Sequence, residues 1–341
     1  MLAMQELLKQ VSRSFYITLH ILPRPVRPQL SLAYLLARAT DTVADTQLIA
    51  AELRREALLQ LQSAIQEACE NRSPALPDFG EFAEAQQAIA GQGTPAERSL
   101  LEHIAQLLAA LREFSGEDRF HIRNVLATII RGQEADLLRF GAASADRIAA
   151  LGGDRELEDY IYDVAGCVGE FWTRLCRAHL FSSTSMDDGV LLANAVRFGK
   201  GLQLVNILRD LPRDLRQGRC YIPREQLSKH GLTPRDLLAA DSMSRFRPLY
   251  EHYLKQAEDH LQAGWQYTTM LPFRYARIRL ACAWPILIGC ETIAQLRRGN
   301  ILDDSSRIKL SRRDVRRLIF QSILRYPNAK SWNRLFHYSR F

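Results

Sequence analysis

Apolar residues recur about every 3.6 positions along almost the whole chain, and this helical periodicity is what limits its possible folds. Segments rich in helix-forming residues carry the pattern at 51–70, 95–114, 118–140, 155–180 and 244–270. Breakers are confined to short stretches at 72–80, 91–95, 141–154, 182–189 and 217–223. No repeat or linker divides the chain, and 47% of its residues are hydrophobic. The sequence predicts one all-α domain over residues 1–341.

Cysteine and glycine usage excludes several functional classes. The six cysteines include no CxxC pair, and the histidines do not cluster, which excludes a disulfide scaffold and a zinc finger. The Gly199–Gly201 pair lies inside a helical pattern with no strand before it. A Rossmann or P-loop nucleotide site is therefore not expected.

The chain shows no targeting or membrane-spanning segment. Its first residues lack a basic stretch followed by an apolar core. The longest apolar stretch, 280–293, contains Pro285 and Glu291 and is shorter than the ~20 residues that span a bilayer. We expect a cytoplasmic protein with reduced thiols.

The positive charge is concentrated at the C-terminus. Residues 297–341 hold twelve Lys and Arg against three Asp and Glu, a net charge of +9, whereas the remainder carries −2. A solvated basic tail is one interpretation, and nucleic acid is not expected because no binding motif accompanies the charge. A membrane surface is another, because residues 311–325 form a basic amphipathic pattern. Its apolar positions and the aromatic residues that follow are Val315, Leu318, Ile319, Ile323, Trp332, Phe336, Tyr338 and Phe341.

Tyr34, Arg38, Asp41 and Asp45 step by four, three and four residues, which predicts one stripe on a helix. The residues around the stripe are largely apolar. Two carboxylates one turn apart repel each other unless a cation lies between them, and such oxygen ligands suit Mg²⁺ bridging to phosphate. The alternative is a helix-end Asp pair, one of them a cap.

A second stripe repeats this logic with Gln203, Asn206, Asp210 and Asp214. We expect the Asn and Gln to be buried, which is unfavourable unless they bind a ligand. Pro212 lies inside the stripe, so a kink or a helix end is expected there.

Two such stripes facing each other across a helical bundle predict a cluster of Mg²⁺ ions that holds a diphosphate. Metal ions and arginines neutralise a departing diphosphate. An apolar cavity beneath this site would keep water from an allylic carbocation.

At these residues the sequence resembles the squalene/phytoene synthase family, the head-to-head prenyl-diphosphate condensing enzymes. The resemblance extends from about residue 12 to 317. Its pieces are Ser12–Phe15, the aspartate motif Asp41–Asp45, a VAGxVG signature at 160–169, a second signature at 199–223 and a proline-containing apolar helix at 281–293. The last piece is more similar to squalene synthases than to phytoene synthases.

The resemblance implies an isoprenoid-synthase-type helical bundle with a central apolar cavity and a role for each matching residue. Asp41, Asp45, Asp210 and Asp214 would bind Mg²⁺, and Tyr160 would assist proton removal. The arginines that would contact phosphate or cofactor are Arg13, Arg38, Arg209 and Arg219. The residues that would line the substrate site are Ser12, Ser14, Phe15, Tyr34, Gln203 and Asn206. Arg307 and Lys309 occupy the place of a basic pair that holds NADPH.

The implied reaction condenses two farnesyl diphosphates to presqualene diphosphate and reduces it with NADPH to squalene. The alternatives are presqualene diphosphate, dehydrosqualene or phytoene as the product, without the reductive step. A non-catalytic helical membrane-surface protein is disfavoured by two intact aspartate motifs. No obligate protein partner is inferred, and the basic tail predicts a peripheral position on the inner face of the membrane.

Overall fold

The computed structural model describes residues 2–12, 15–46, 48–76, 78–82, 84, 95–182, 184–303, 308 and 310–338. Most of these residues are helical, and the two strands among them are each two residues long. The predicted all-α fold is therefore confirmed. The chain divides into two compact units, Met1–Ala142 with Phe171–Thr184, and Ala143–Glu170 with Ser185–Phe341.

The helices of the first unit pack around helix α3. Its helices are α1 (Leu2–Val11), α2 (Phe15–Ile21), α3 (Arg27–Asp45), α4 (Ala51–Cys69), α5 (Pro95–Glu102), α6 (Ile104–Arg112) and α7 (Gly116–Phe140). Helix α3 packs against α4 and α7. The hydroxyl of Ser115 caps α7 by accepting a hydrogen bond from the Asp118 amide at 3.1 Å.

The second unit contains most of the signature segments. Its helices are α8 (Asp154–Ile161), α10 (Asp188–Arg216), α11 (Arg224–Lys229), α12 (Met243–Met270), α13 (Ala276–Arg298), α14 (Arg312–Arg325) and α15 (Ala329–Tyr338). A π-helix (Tyr162–Gly166) joins α8 to α9 (Cys167–His179), whose first turn lies in this unit and whose remainder lies in the first. Two short 3₁₀ helices, Pro234–Leu238 and Ala240–Ser242, precede α12.

Helices α10 and α12 form the central pair of the second unit, and α13 packs against both. Strands β1 (Ala149–Ala150) and β2 (Arg219–Cys220) pair in parallel, with Ala149 opposite Arg219. Both strands lie in stretches that the sequence marks as helix breakers. They tie the connection before α8 to the end of α10.

Glycines of the VAGxVG and second signatures allow helices to approach closely. A Cβ at Gly169 would lie 2.0 Å from the carbonyl oxygen of Ala195, and one at Gly199 would lie 2.1 Å from that of Ala165. Both obstructing atoms belong to backbone and cannot rotate away. These glycines therefore fix the packing of the π-helix and α9 against α10.

Of the two outcomes expected at Pro212, a kink or a helix end, the helix end is wrong, because α10 continues to Arg216. Leu211 and Leu215, on either side of the proline, are almost fully buried. Apolar packing holds the last turn although the proline lacks one backbone hydrogen bond. Asp214 therefore lies one turn after Asp210 on the same helix.

The predicted basic helix is confirmed as α14, where Ser311 caps the N-terminus by accepting from the Asp314 amide. The expectation that the aromatic residues after it face a membrane was wrong for Trp332 and Phe336. Trp332 is fully buried and stacks on Trp265 with ring centroids 5.3 Å apart, and Phe336 stacks on the same indole. These aromatics attach α15 to the core of the second unit.

Two further predictions can be compared with this fold. No helix in the described residues is long and apolar enough to cross a membrane. All six cysteines are free, and five of them are buried.

Candidate functional site

The first aspartate stripe is the open side of an otherwise buried helix. From residue 29 to residue 44 of α3, every residue is buried except Tyr34, Ala37, Arg38 and Asp41. Asp45, at the C-terminal end of the helix, is exposed. The predicted stripe therefore exists as one face. It differs from an ordinary solvated face because the rest of the helix is enclosed by apolar packing.

Arg38 links two carboxylates in the first unit. Its guanidinium donates a hydrogen bond to Glu97 of α5 and lies 3.6 Å from the carboxylate of Asp41. Burial lowers the pKa of Arg38, but the acidic groups of Asp41, Glu97, Tyr34 and Asp45 together raise it by more, so the net shift is upward. The arginine is permanently charged and held in position beside the aspartate.

Gln133 of α7 is a partner of Asp41 that the sequence did not indicate. Its side-chain amide donates to Asp41 Oδ1 at 2.5 Å. The other amide atom, Gln133 Oε1, is buried and has no hydrogen-bond partner among the described residues. A buried amide oxygen without a partner is unfavourable, so a hydrogen-bond donor that reached this atom beside Asp41 would stabilise it.

The environment of Asp41 favours a bound cation. Burial raises its pKa to about 6, and the charge of Asp45 adds to the rise, while Arg38 and Gln133 oppose it. The side chain still keeps 44% of its surface accessible, so a ligand can reach it. A divalent cation between the two carboxylates would relieve their repulsion.

The second stripe lies on α10 in the second unit. Gln203, Asp210 and Asp214 are half-buried, and Asn206 is exposed. The expectation of a buried Asn was therefore wrong, because Asn206 points away from the apolar contacts that bury Val205, Ile207 and Leu208. Its amide is accessible to a ligand rather than forced to find a partner in the core.

The carboxylate of Asp210 forms two hydrogen bonds with its neighbour Arg209. Nε of Arg209 donates to one carboxylate oxygen of Asp210 at 2.8 Å, and Nη2 donates to the other at 2.6 Å. This hydrogen bonding raises the pKa of Arg209. Such a two-pronged pair is strong, so a cation that binds Asp210 must compete with the guanidinium or share the carboxylate with it.

Tyr160 stands at the last turn of α8, directly before the π-helix. Its ring stacks on that of Tyr221, with centroids 4.7 Å apart and an angle of 23°. Tyr221 is buried and follows Arg219 of β2, which is half-buried. Single-turn π-helices are frequent at functional sites. The structure thus brings Tyr160 and the end of the second signature together.

The remaining predicted site residues either lie away from the two aspartate stripes or belong to parts of the chain that the structure does not describe. Ser12 is buried at the end of α1, where its hydroxyl donates to the Leu8 carbonyl, so its contact with substrate stays a prediction. Arg13, Ser14, Arg307 and Lys309 lie outside the described residues, and so does the side chain of Phe15.

The donor set fits Mg²⁺ bound together with a phosphate. No group of three or more His, Cys, Asp or Glu that could hold a metal is found in the described part of the chain. Each stripe instead offers two carboxylates. Mg²⁺ is usually held by one or two carboxylates, with water and substrate phosphates completing its octahedron.

Comparison with known proteins supports the same family. The chain matches the squalene/phytoene synthase family over residues 8–314. It is 28% identical over 253 residues to the bifunctional lycopene cyclase/phytoene synthase of Arthroderma gypseum, covering 74% of this chain and 39% of that protein. It is 24% identical over 296 residues to the squalene synthase of Schizosaccharomyces pombe, covering 86% and 59%. The chain thus spans between two fifths and three fifths of these relatives.

The fold is also similar to a solved structure. TcSQS in complex with the ligand E5700 superimposes with a TM-score of 0.70 at 20% identity. The match covers 98% of this chain and 95% of that one. The helical architecture is therefore shared along nearly the whole length.

Proposed function

Because the chain belongs to the squalene/phytoene synthase family, we propose that it is a squalene synthase. In this proposal it condenses two farnesyl diphosphates to presqualene diphosphate and then reduces that intermediate to squalene with NADPH. The observation that carries the proposal is the pair of DxxxD stripes, each on one helix with two carboxylates left accessible. The expectation that the stripes face each other belongs to the proposal.

Asp41, Asp45, Asp210 and Asp214 would hold Mg²⁺ together with the substrate diphosphate. Bound there, Mg²⁺ would neutralise the negative charge of the departing diphosphate. Gln133 orients Asp41 through its hydrogen bond, and Arg38 adds a fixed positive charge beside it. These groups are set before substrate arrives, which favours charge stabilisation without rearrangement.

Arg209 would exchange its partner during the reaction. In the described geometry it covers both oxygens of Asp210. A diphosphate oxygen offers the guanidinium the same two-pronged geometry that a carboxylate does. Arg209 would turn to phosphate as Asp210 takes up the cation.

Tyr160 is proposed to assist proton removal when the cyclopropane of presqualene diphosphate forms. Its ring is held flat against Tyr221, so its hydroxyl has a defined position. Arg219, Gln203, Asn206 and Tyr34 would complete the substrate site. NADPH belongs to the proposal through the resemblance of Arg307 and Lys309 alone.

The second candidate is a synthase that stops at presqualene diphosphate, dehydrosqualene or phytoene. The similarity to both squalene and phytoene synthases is what keeps it open. Purified protein should be incubated with farnesyl diphosphate and Mg²⁺, with and without NADPH, and the products identified. Squalene formed only with NADPH supports the first candidate. Release of presqualene diphosphate or a dehydro product in both incubations selects the second.

A control variant distinguishes loss of chemistry from loss of folding. Asp41→Asn and Asp210→Asn should lose nearly all turnover while keeping the helical circular dichroism spectrum. Asp159→Asn, at a carboxylate that is 74% exposed on α8, should behave as wild type. Normal turnover in either of the first two variants would refute the metal assignment.

The proposal also places this activity in the cytoplasm, peripheral on the inner face of the membrane. Squalene is an apolar hydrocarbon that partitions into lipid rather than water. The basic C-terminal segment provides a charge to attract anionic headgroups.

A further inference from the structure

One face of α14 carries arginines and large apolar side chains together and is exposed along its length. Its members, here called the basic–apolar face, are Arg312, Arg313, Arg316, Arg317, Phe320, Ile323 and Leu324. At 100° per residue these positions fall within less than half of the helix circumference. The opposite side holds Leu318 and Ser322, which are buried against the second unit.

The apolar half of this face is unusual for a surface. Phe320 is 66% exposed, Leu324 is 69% exposed and Ile323 is 48% exposed. Phe273, at the turn between α12 and α13, is a further exposed aromatic residue near the end of α14, since it is 47% exposed and stacks on Tyr326 at 4.7 Å. A contiguous exposed apolar patch with a charged rim marks an interaction site.

Three of the four arginines of this face have no hydrogen-bond or ion-pair partner among the residues that the structure describes. Arg312, Arg313 and Arg316 form no hydrogen bond or ion pair within the part of the chain that the structure describes, and Arg317 lies 3.4 Å from Asp314. Arg312 and Arg313 stand in the first turn of the helix, where the macrodipole disfavours positive charge. Helix stability therefore does not account for their placement.

We propose that the basic–apolar face of α14 is the surface by which this protein docks on an anionic lipid bilayer. The inference rests on the proposed peripheral position and names the residues that produce it. Arginines would approach the headgroup phosphates while Phe320, Ile323 and Leu324 enter the boundary with the acyl chains. A nucleic acid would use the arginines but not the apolar residues, so the mixture favours lipid over RNA or DNA.

Sedimentation of the full chain with lipid vesicles tests this proposal without any substrate. We expect binding to vesicles of equal parts phosphatidylglycerol and phosphatidylcholine, little binding to phosphatidylcholine alone, and weakening with salt. The triple variant R312Q/R313Q/R316Q should bind about fivefold more weakly per arginine removed. The variant F320S/L324S should also bind more weakly, including at high salt, where the charge contribution is screened.

A charge-matched control removes three exposed arginines elsewhere, R24Q/R155Q/R235Q. It should bind as wild type, and all variants should retain wild-type turnover in detergent. An equal loss in the control would show that net charge rather than this face acts, and would overturn the proposal. The proposal would also be overturned if wild-type protein did not bind anionic vesicles. The same holds if F320S/L324S bound vesicles normally and RNA displaced the protein from them. Vesicle binding without prenyl transfer would leave the docking face intact while refuting the proposed enzyme.

Discussion

At the scale of single residues, Asp41 makes a prediction about pH with a definite sign. Its pKa is raised to about 6 in the folded protein, whereas an unfolded Asp titrates near 4. The folded state binds more protons between these values, so this carboxyl lowers stability as pH rises from about 4 to about 6. The penalty is fully present above that range and absent below it.

Asp41→Asn should therefore stabilise the metal-free protein at high pH only. Solvent screening at a side chain that is 44% exposed limits the effect to about 1 kcal/mol. We expect a Tm about 1–2 °C above wild type near pH 8 and no difference near pH 4. Thermal unfolding followed across this range measures it. A difference that does not change with pH would mean that the Asp41 carboxyl is not perturbed.

Gln133 supports a second residue-scale prediction, on metal affinity. Gln133→Met keeps the side-chain volume but removes the hydrogen bond to Asp41 and the orphaned oxygen beside it. We expect about tenfold more Mg²⁺ to be needed for half-maximal turnover, since positioning partners of metal ligands have effects of this size. Mn²⁺ binding measured by electron paramagnetic resonance should weaken in parallel.

Gln29→Met is the matched control for this variant. Gln29 lies in the same unit and donates to buried Asp118 at 3.1 Å, and its Oε1 also has no hydrogen-bond partner in the described part of the chain. It therefore reproduces the stability effect of losing a buried Gln–Asp bond without touching the aspartate motif. If both variants needed the same Mg²⁺ concentration for half-maximal turnover, Gln133 would have only a structural role.

At the scale of secondary-structure elements, we expect substitutions of the signature glycines to change the stability of the fold rather than the chemistry of the site. Gly199→Ala places a methyl group 2.1 Å from a backbone oxygen of the π-helix, which must move away. We expect destabilisation of about 2–3 kcal/mol, typical of overpacking. Gly116→Ala is the control, because a Cβ there meets nothing within 4 Å. Urea unfolding of both variants measures the difference, and equal midpoints would contradict the close-packing role.

Helical periodicity predicted most of the helical segments, because each helix buries one face and repeats it every turn. It did not predict that 95–114 forms two helices or that 155–180 contains a π-helix at Tyr162–Gly166. The i,i+4 spacing predicted both aspartate stripes. Periodicity could not predict Gln133, since its contact with Asp41 joins residues 92 apart in sequence. Nor could it distinguish Trp332, which packs on its own core, from Phe320, which faces outward. Both kinds of information depend on which helices become neighbours.

At the scale of the whole molecule, the two aspartate pairs belong to different compact units. If both pairs act on one diphosphate, removing either should eliminate the same function. We expect the double variant Asp41→Asn/Asp210→Asn to be no less active than the single variants, because groups that act as a unit are not additive. Turnover of farnesyl diphosphate in single and double variants provides the comparison. Losses that multiply would indicate two independent sites.

The stacked aromatic residues beneath α15 give the intact protein an optical reporter. Three of its four tryptophans belong to or contact the two C-terminal helices, since Trp265 stacks on Trp332 of α15 and the Trp284 indole donates to Ser322 of α14 at 2.9 Å. Stacked indoles couple their electronic transitions, so the signal depends on their mutual orientation rather than on helix content. Tryptophan emission and near-ultraviolet circular dichroism therefore follow whether the C-terminal helices are seated. Any departure of those helices from the core can be observed in unlabelled protein.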